Sequence, residues 1–474
     1  VRPDPAVRAP SVAQPVTIPR VVIAAPSSGQ GKTSVATGLL GALRAQGLTV
    51  SPHKVGPDYI DPGYHSLAAG RPGRNLDPWL VGEHRIAPLF VHGASTPTLA
   101  DIAVIEGVMG LFDGAAGRTN FASTAHVAQL LEAPVILVVD ASAMSRSIAP
   151  LVHGFATFDP SVRLGGVIVN RVGSDRHARL LEDALEEVGI PLLGAIRRIE
   201  ALVTPSRHLG LVPAAERSAE AEATVAALAR VVADSVDLAA VRRLAESAPE
   251  ITADVESLGL VPVIDSNGPV IAIAGGPAFT FGYAETPELL RAAGAKVVTF
   301  DPIHDTALPP NTSGVIIGGG FPEIYAKALS DNGLLRAEVA QLADDGAPIA
   351  AECAGLLYLL RSLDDEPMCG ALDGDATMTP KLTMGYREGV ALTDSTLVAA
   401  GTRVRGHEFH RTASTPRAGA HPAWRWAGFE PEGFVYKGIH ASYLHLNWLG
   451  LPGAAQRFVA SCRAHEILSE GVRA

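Results

Sequence analysis

Two doubly wound α/β domains in tandem are the fold this sequence predicts. Three observations lead there. The chain has 474 residues, more than one ordinary domain holds. Short apolar, β-branched runs alternate with helical stretches twice over, from Val21 to about Ala233 and again from Val270 to Leu363. Alternation of this kind builds a parallel sheet. Between the two series, Pro249 to Gly268 mixes charges, Pro, Asn and Gly, as a linker does. The expected layout is a disordered Pro- and Ala-rich tail at 1–19, a first domain at 20–248, a linker at 249–268 and a second domain at 269–465.

In the first domain, Val21 to Ala25 reads as a buried strand. A tight turn with Gly29 and Gly31 follows, and Lys32-Thr33 opens a helical run to Ala45. Strand, glycine turn, Lys-Thr and helix make a phosphate-binding loop. Glycines let backbone N–H groups converge on one point, and the helix N-terminus adds positive potential. Ser28, Gly29, Gln30, Gly31, Lys32 and Thr33 are therefore the candidate phosphate-binding residues. Lys32 supplies a point charge and Thr33 a hydroxyl for Mg²⁺. Pro26 stands where the strict pattern has its first Gly.

Leu48 to Val55 reads as the next strand, ending in the loop Gly56-Pro-Asp-Tyr-Ile-Asp-Pro-Gly63. In a parallel sheet the loops after strand C-termini gather at the ligand edge. Asp58 and Asp61 are thus candidates to hold metal or substrate. The strand Asp101 to Glu106 ends in a carboxylate suited to complete a Mg²⁺ shell, and Asp113 lies on the glycine-rich loop beyond. Strands follow at Pro134 to Asp140, Leu164 to Asn170 and Pro191 to Ile196. A helix at about Ser174 to Val188 lies between the last two, its apolar face formed by Leu180, Leu181, Ala184, Leu185 and Val188. Ala214 to Ala248 is Ala-rich and helical.

The second domain repeats the pattern. Strands are expected at 270–274, 296–300, 314–317 and 348–352, with helices near 287–293, 334–343 and 354–363. Ile349-Ala-Ala-Glu-Cys-Ala-Gly-Leu-Leu-Tyr358 places Cys353 between a buried strand and a helix. That is a nucleophile elbow, where a helix N-terminus favours the thiolate. The turn Gly318-Gly-Gly-Phe-Pro-Glu323 could aim N–H groups at an oxyanion, which makes Gly319, Gly320 and Ala354 the candidate donors. A thiol needs a base. Of His407, His410, His440 and His445 in the β- and loop-rich remainder, His445 in Ser442-Tyr-Leu-His-Leu-Asn447 is the best placed.

Composition narrows the classes. The net charge of −11 argues against a nucleic-acid-binding protein. Three cysteines cannot form a paired framework and point to a reducing, cytoplasmic compartment. No apolar run reaches membrane-span length, and no Cys/His cluster has metal-ligand spacing.

Cys353, the Gly318–Gly320 turn and His445, in this order, resemble a class I glutamine amidotransferase domain, which hydrolyses glutamine through a Cys thioester and releases ammonia. The usual ending there is His-Pro-Glu; here it is His445-Leu-Asn447, so Asn447 stands in place of the carboxylate, and the chain resembles the cobyric-type branch, whose pattern lacks the usual Glu. The first half resembles the dethiobiotin-synthetase-like P-loop enzymes. The motifs Ser27-Ser-Gly-Gln-Gly-Lys-Thr33, Lys54-Val-Gly-Pro-Asp-Tyr-Ile-Asp-Pro62, Asn75-Leu-Asp-Pro-Trp79 and Glu106-Gly-Val-Met-Gly-Leu-Phe-Asp-Gly114 look like the a,c-diamide synthases of cobyrinic or hydrogenobyrinic acid. So do Arg207-His-Leu-Gly-Leu211, Gly385-Tyr-Arg387 and Gly406-His-Glu-Phe-His410. One departure is Gly275-Gly276, where that family usually has Arg-Asp.

The resemblance implies ATP-driven activation of the a and c acetates of the macrocycle as acyl phosphates, then displacement by ammonia from glutamine. It implies that Lys32 steadies the γ-phosphate, that Thr33, Asp58 and Glu106 hold Mg²⁺, that Tyr59, Asp61 and Asp113 position substrate, and that Asn170 reads the adenine. Ammonia must then travel from one domain to the other. Partners are hydrogenobyrinic or cobyrinic acid, glutamine and ATP, without nucleic acid or membrane; homodimerisation is open. Two alternatives remain. Cobyric acid synthase shares the two-domain plan. A deviant-P-loop partitioning ATPase is a different class; it carries a signature Lys where this chain has Ser27.

Overall fold

The computed structural model describes residues 14–198, 206–207, 210–211, 218–263, 265 and 267–473. The chain divides into two compact units, Val1–Leu258 and Gly259–Ala474. Among the described residues no helix is long and apolar enough to cross a membrane.

Unit 1 is built on seven strands: β1 (Arg20–Ala24), β2 (Val50–Val55), β3 (Arg74–Leu76), β4 (Ile102–Glu106), β5 (Val135–Asp140), β6 (Leu164–Val172) and β7 (Leu192–Arg197). Their order across the sheet is β3-β2-β4-β1-β5-β6-β7 and every pairing is parallel. β1 is buried at every residue, as a central strand covered on both faces requires. The chain fills one side of β1 with β2 to β4, then crosses to the other with β5. This reversal leaves a crevice at the C-terminal end of β1, where the phosphate-type loop sits.

Register does the fine placement. Lys54 on β2 and Ile23 on β1 both pair with Glu106, and Asp140 on β5 pairs with Asn170 on β6. The side chains at the ends of five strands therefore share one edge. The helix Asp175–Glu186 starts as expected, with Ser174 Oγ accepting the His177 N–H at 3.1 Å. Its buried stripe is Leu181, Ala184 and Leu185; Leu180, expected on that face, is turned to solvent. The stripe centres one residue further on, and a step of one residue rotates a side chain by about 100°.

Two bounds differ from expectation. Within the proposed 1–19 tail, Gln14–Val16 forms a strand paired antiparallel with Ile251–Ala253, and Ile18 is fully buried. The partner lies in the stretch expected to be linker. That stretch continues as a short turn of helix at Val255–Leu258, still within unit 1. Pro- and Ala-rich composition concealed a strand whose partner lies more than two hundred residues away. The positions 1–13, 199–205 and 212–217, and two of the five residues in the 207–211 motif, lie outside the described residues.

Unit 2 has a six-stranded sheet of β8 (Val270–Ala274), β9 (Lys296–Phe300), β10 (Thr312–Ile317), β11 (Ile349–Glu352), β14 (Phe434–Tyr436) and β15 (Ile439–Ser442), in the order β9-β8-β10-β11-β15-β14. The last pair alone is antiparallel. Between β11 and β14 the chain makes a long hairpin of β12 (Asp375–Ala391) and β13 (Arg403–Thr415). The helix expected over 354–363 covers only Ala354–Leu359; Leu360 is extended and Ser362–Leu363 turns into a short strand. β10, β11 and β15 lie side by side, so the loops after them meet at one sheet edge.

Candidate active sites

The loop after β1 is shaped by glycines. Gly31 has φ +99°, and a Cβ there would strike the Asn170 amide. Asn170 Nδ2 donates to the Gln30 carbonyl at 2.9 Å, and Gln30 Oε1 accepts the Asp140 N–H at 2.7 Å. Strands β5 and β6 thus brace the loop from its flank. Gly31→Ala would impose strain of about 1–2 kcal/mol besides the clash. We expect the KM for ATP to rise by roughly tenfold or more with the fold intact by circular dichroism; an unchanged KM would remove this loop from nucleotide binding.

Lys32 Nζ donates to the Met109 carbonyl at 2.5 Å and the Ser27 carbonyl at 3.3 Å. Burial, with Lys54 next, lowers its pKa to about 8. Thr33 Oγ1 donates to Glu106 Oε1 at 2.7 Å and approaches Asp61 Oδ2 at 3.2 Å. Lys54 Nζ reaches the same two carboxylates, at 2.9 Å from Glu106 Oε1 and 2.7 Å from Asp61 Oδ2. His65 Nε2 lies 2.8 Å from Glu106 Oε2.

Four elements therefore build one charged cluster: the helix Lys32–Ala45, strand β2, the helix Ile60–Ala69 and the end of β4. Asp58 and Asp61 face each other in this cluster but make different contacts. Asp58 caps the helix Ile60–Ala69, accepting the N–H groups of Ile60 at 3.0 Å and Asp61 at 3.3 Å. It is Asp61 that faces Thr33. Burial and the Asp61 charge push the Asp58 carboxyl up; the Lys54 ammonium holds Asp61 down against its burial.

Sequence reasoning missed Lys54 and His65. Lys54 opened a quoted motif, and His65 follows Asp61 by four residues, one helical turn on the same face. Asp113 accepts the Gly110 N–H at 2.8 Å and so shapes the loop after β4. Tyr59 stands at the start of the helix Ile60–Ala69. Beside Asn170, Arg171 pairs with Asp140, and a cavity of about 500 Å³ opens between Arg171, Gly173, His177 and Arg197.

In unit 2, Cys353 follows β11 with φ +51° and ψ −104°, a strained backbone for a residue with a Cβ. Its N–H donates to the Ser442 carbonyl at 2.7 Å, which ties the elbow to β15. Cys353 is only 4% exposed. Burial, then Glu323, Glu352 and Glu408, push the thiol up to about 12, against the Ala354 N–H. The six-residue helix behind it does not make a standing thiolate. A base must take the proton.

His445 is buried three residues past β15. Its imidazole stacks on His407 with ring centroids 4.9 Å apart, and the two residues exchange backbone hydrogen bonds at 2.9 and 3.1 Å. Burial and His445 hold His407 well below the usual histidine range. Gly319 gives His445 its space, since a Cβ there would lie 2.5 Å from His445 Cε1. The Gly319 N–H donates to the Phe281 carbonyl at 3.1 Å, so it is not an oxyanion donor; Gly320 and Ala354 remain the candidates. Asn447 is likewise diverted. Its Oδ1 accepts the Leu449 N–H at 3.0 Å and caps the turn Trp448–Gly450. His410 stacks on Tyr443, and His440 Nδ1 lies 3.0 Å from Ser395 Oγ.

A phosphate-type loop with a strand-end carboxylate and a cysteine elbow with a buried histidine, on two units of one chain, define a nucleotide-binding glutamine amidotransferase. Residues 21–212 match the family model described as the CobQ/CobB/MinD/ParA nucleotide binding domain, and residues 270–451 match the CobB/CobQ-like glutamine amidotransferase domain. The hydrogenobyrinate a,c-diamide synthase of Streptomyces coelicolor is 56% identical over 94% of this chain and 98% of its own. That of Thermobifida fusca is 54% identical over 94% and 97%. The cobyrinate a,c-diamide synthase of a Synechococcus strain is 41% identical over 95% and 99%. The chain belongs to the a,c-diamide synthase family, glutamine-hydrolysing amidating enzymes of cobalamin biosynthesis.

Proposed function

We propose that the enzyme amidates the a and c acetates of hydrogenobyrinic acid, using ATP in unit 1 and glutamine in unit 2. The observation that carries the reading is the Thr33–Glu106–Lys54–Asp61 cluster at the phosphate-type loop, in one chain with the Cys353 elbow. The metal-free acid is favoured because the relatives named for it are 54–56% identical, against 41% for the cobyrinate enzyme.

A carboxylate is a poor acyl donor. Phosphorylation turns one oxygen into a leaving group, and ammonia displaces it as phosphate. The protein's part is to position and to neutralise charge. In this reading Lys32 leaves its carbonyl partners for the γ-phosphate, while the loop N–H groups take the remaining oxygens. The cavity beside Asn170 suits a nucleobase at the flank of the loop.

The donor chemistry fits Mg²⁺, since Thr33 Oγ1, Glu106 and Asp61 are hard oxygen ligands converging at the loop. Among the described residues no three His, Cys, Asp or Glu side chains form a ready-made cation site. Phosphate oxygens would therefore complete the shell. Mg²⁺, when bound there, would neutralise phosphate charge. Lys54 already bridges Glu106 and Asp61, and its ammonium holds Asp61 ionised for that purpose.

Mass spectrometry of reactions containing Mg-ATP, glutamine and either acid tests the reading. We expect two successive losses of about one mass unit, as OH becomes NH₂ through an activated acyl group, faster with hydrogenobyrinic acid. Faster conversion of cobyrinic acid would reverse the substrate assignment. No change with either would overturn it.

A further inference from the structure

We propose that Glu352 is the carboxylate that orients His445, a part that Asn447 does not play. The inference rests on the reading of Cys353 and His445 as a glutaminase pair and deepens it.

Glu352 ends β11, one residue before the nucleophile, and pairs in register with Ser442 on β15. His445 follows three residues later. Glu352 Oε2 lies 3.7 Å from His445 Nδ1. Catalytic hydrogen bonds are commonly long in unliganded enzymes and tighten with substrate. The imidazole is already fixed on two other sides: His407 covers its face, and Gly319 lies against Cε1.

The other carboxylates near Cys353 are committed or belong to other elements. Glu408 pairs with Arg387 at 2.6 Å and lies 3.5 Å from His410. Glu432 accepts from Ser442 Oγ at 2.7 Å and from the Tyr443 N–H at 2.8 Å. Glu323 lies on the helix Pro322–Asp331, beyond the glycine turn.

The proton path then balances. The Cys353 thiol gives its proton to His445 Nε2 as sulfur attacks the glutamine carboxamide carbon. Glu352 stabilises the imidazolium through Nδ1–H. The imidazolium proton leaves with the amine as ammonia, and a thioester remains. Water, deprotonated by His445, attacks the thioester; the C–S bond breaks and the thiol regains its proton. Glutamate and ammonia are the products. Glu352 is thus a positioning residue, acting through His445.

The titratable groups facing this pair are Cys353, Glu352, Glu323, Glu408, Tyr443 and His407. They allow a test by sign. As a bare negative charge, Glu352 would disfavour the thiolate, and Glu352→Gln would move thiolate formation to lower pH. As the partner of His445, it favours the thiolate–imidazolium pair, and the same change moves thiolate formation to higher pH. The probe is iodoacetamide labelling of the Cys353 peptide against pH, read by mass spectrometry.

We expect Glu352→Gln to shift the labelling midpoint upward. Its glutamine-dependent kcat should fall roughly 10- to 100-fold, part of what a positioned acid–base group supplies. Ammonium-dependent amidation should stay within about twofold, and Glu352→Asp should restore part of the loss. A midpoint that falls or stays, or an unchanged glutaminase rate, overturns the role of Glu352. Labelling by 6-diazo-5-oxo-L-norleucine separates the two layers. Wild-type enzyme unlabelled at Cys353 would instead overturn the glutaminase pair itself.

Discussion

Cys353→Ala is expected to abolish glutamine-driven amidation while leaving ammonium-driven amidation intact. Cys353 sits at the sheet edge of unit 2 with φ +51°, its backbone tied to β15, and in the proposed reading its side chain is the nucleophile that His445 serves. Removing the sulfur removes the thioester route altogether. The glutamine-dependent rate should fall by at least roughly 10⁴-fold, as nucleophile deletions do. In the proposed reading the synthetase site lies in unit 1 and uses none of these atoms, so high ammonium should restore product formation. Alanine is smaller than cysteine, tolerates the elbow no worse, and should leave the melting temperature within a few degrees. Steady-state rates with each nitrogen donor check the prediction. Loss of both activities in a folded variant would refute the division into two independent sites.

Most of the first site could be read before any coordinates, because a parallel sheet puts the ends of its strands on one edge. The glycine-loop motif points to Lys32 and Thr33, and the edge rule to Glu106 and to the loop that carries Asp58 and Asp61. What the rule does not give is which carboxylate turns inward. Asp58 and Asp61 lie three residues apart on one loop, and the choice depends on where the helix Ile60–Ala69 begins. Once it begins at Ile60, Asp58 accepts its first N–H groups while still facing Asp61, and Asp61 is the one that reaches Thr33. Lys54 joins through register with Glu106, a relation between strands far apart in sequence.

The second site was legible at Cys353 and His445 and not at their supports. Gly319 reads as an oxyanion donor until Phe281, nearly forty residues earlier, is seen to hold its N–H. Asn447 reads as a substitute for a missing carboxylate until its side chain is found capping a turn. Glu352 was in the quoted motif all along. Its meaning depends on the parallel pairing of β11 with β15, which places it beside a histidine more than ninety residues away.

Lys32→Ala is expected to remove substrate-dependent ATP hydrolysis and both amidation routes together. The lysine is the loop's own cation, 8% exposed, resting on the carbonyls of Ser27 and Met109. Those contacts are neutral acceptors that a phosphate oxygen can replace with a charge-assisted partner. In a partly buried loop such a partner counts for more than in water, and its loss should cost roughly 10²- to 10³-fold in kcat/KM for ATP.

The same burial gives the prediction a pH signature. With Lys54 nearby, it lowers the Lys32 pKa to about 8, so free enzyme loses this charge as pH rises through that value. ATP favours the charged form, and kcat/KM for ATP should therefore decline above about pH 8. In Lys32→Arg the guanidinium stays charged throughout, so the alkaline decline should vanish, whatever the cost of the longer side chain in absolute rate. Glutaminase activity, made in unit 2, should persist in both variants. Substrate-dependent ATP hydrolysis unchanged in Lys32→Ala would mean that the loop does not hold the reacting phosphate. An alkaline limb surviving in Lys32→Arg would move that titration to another group.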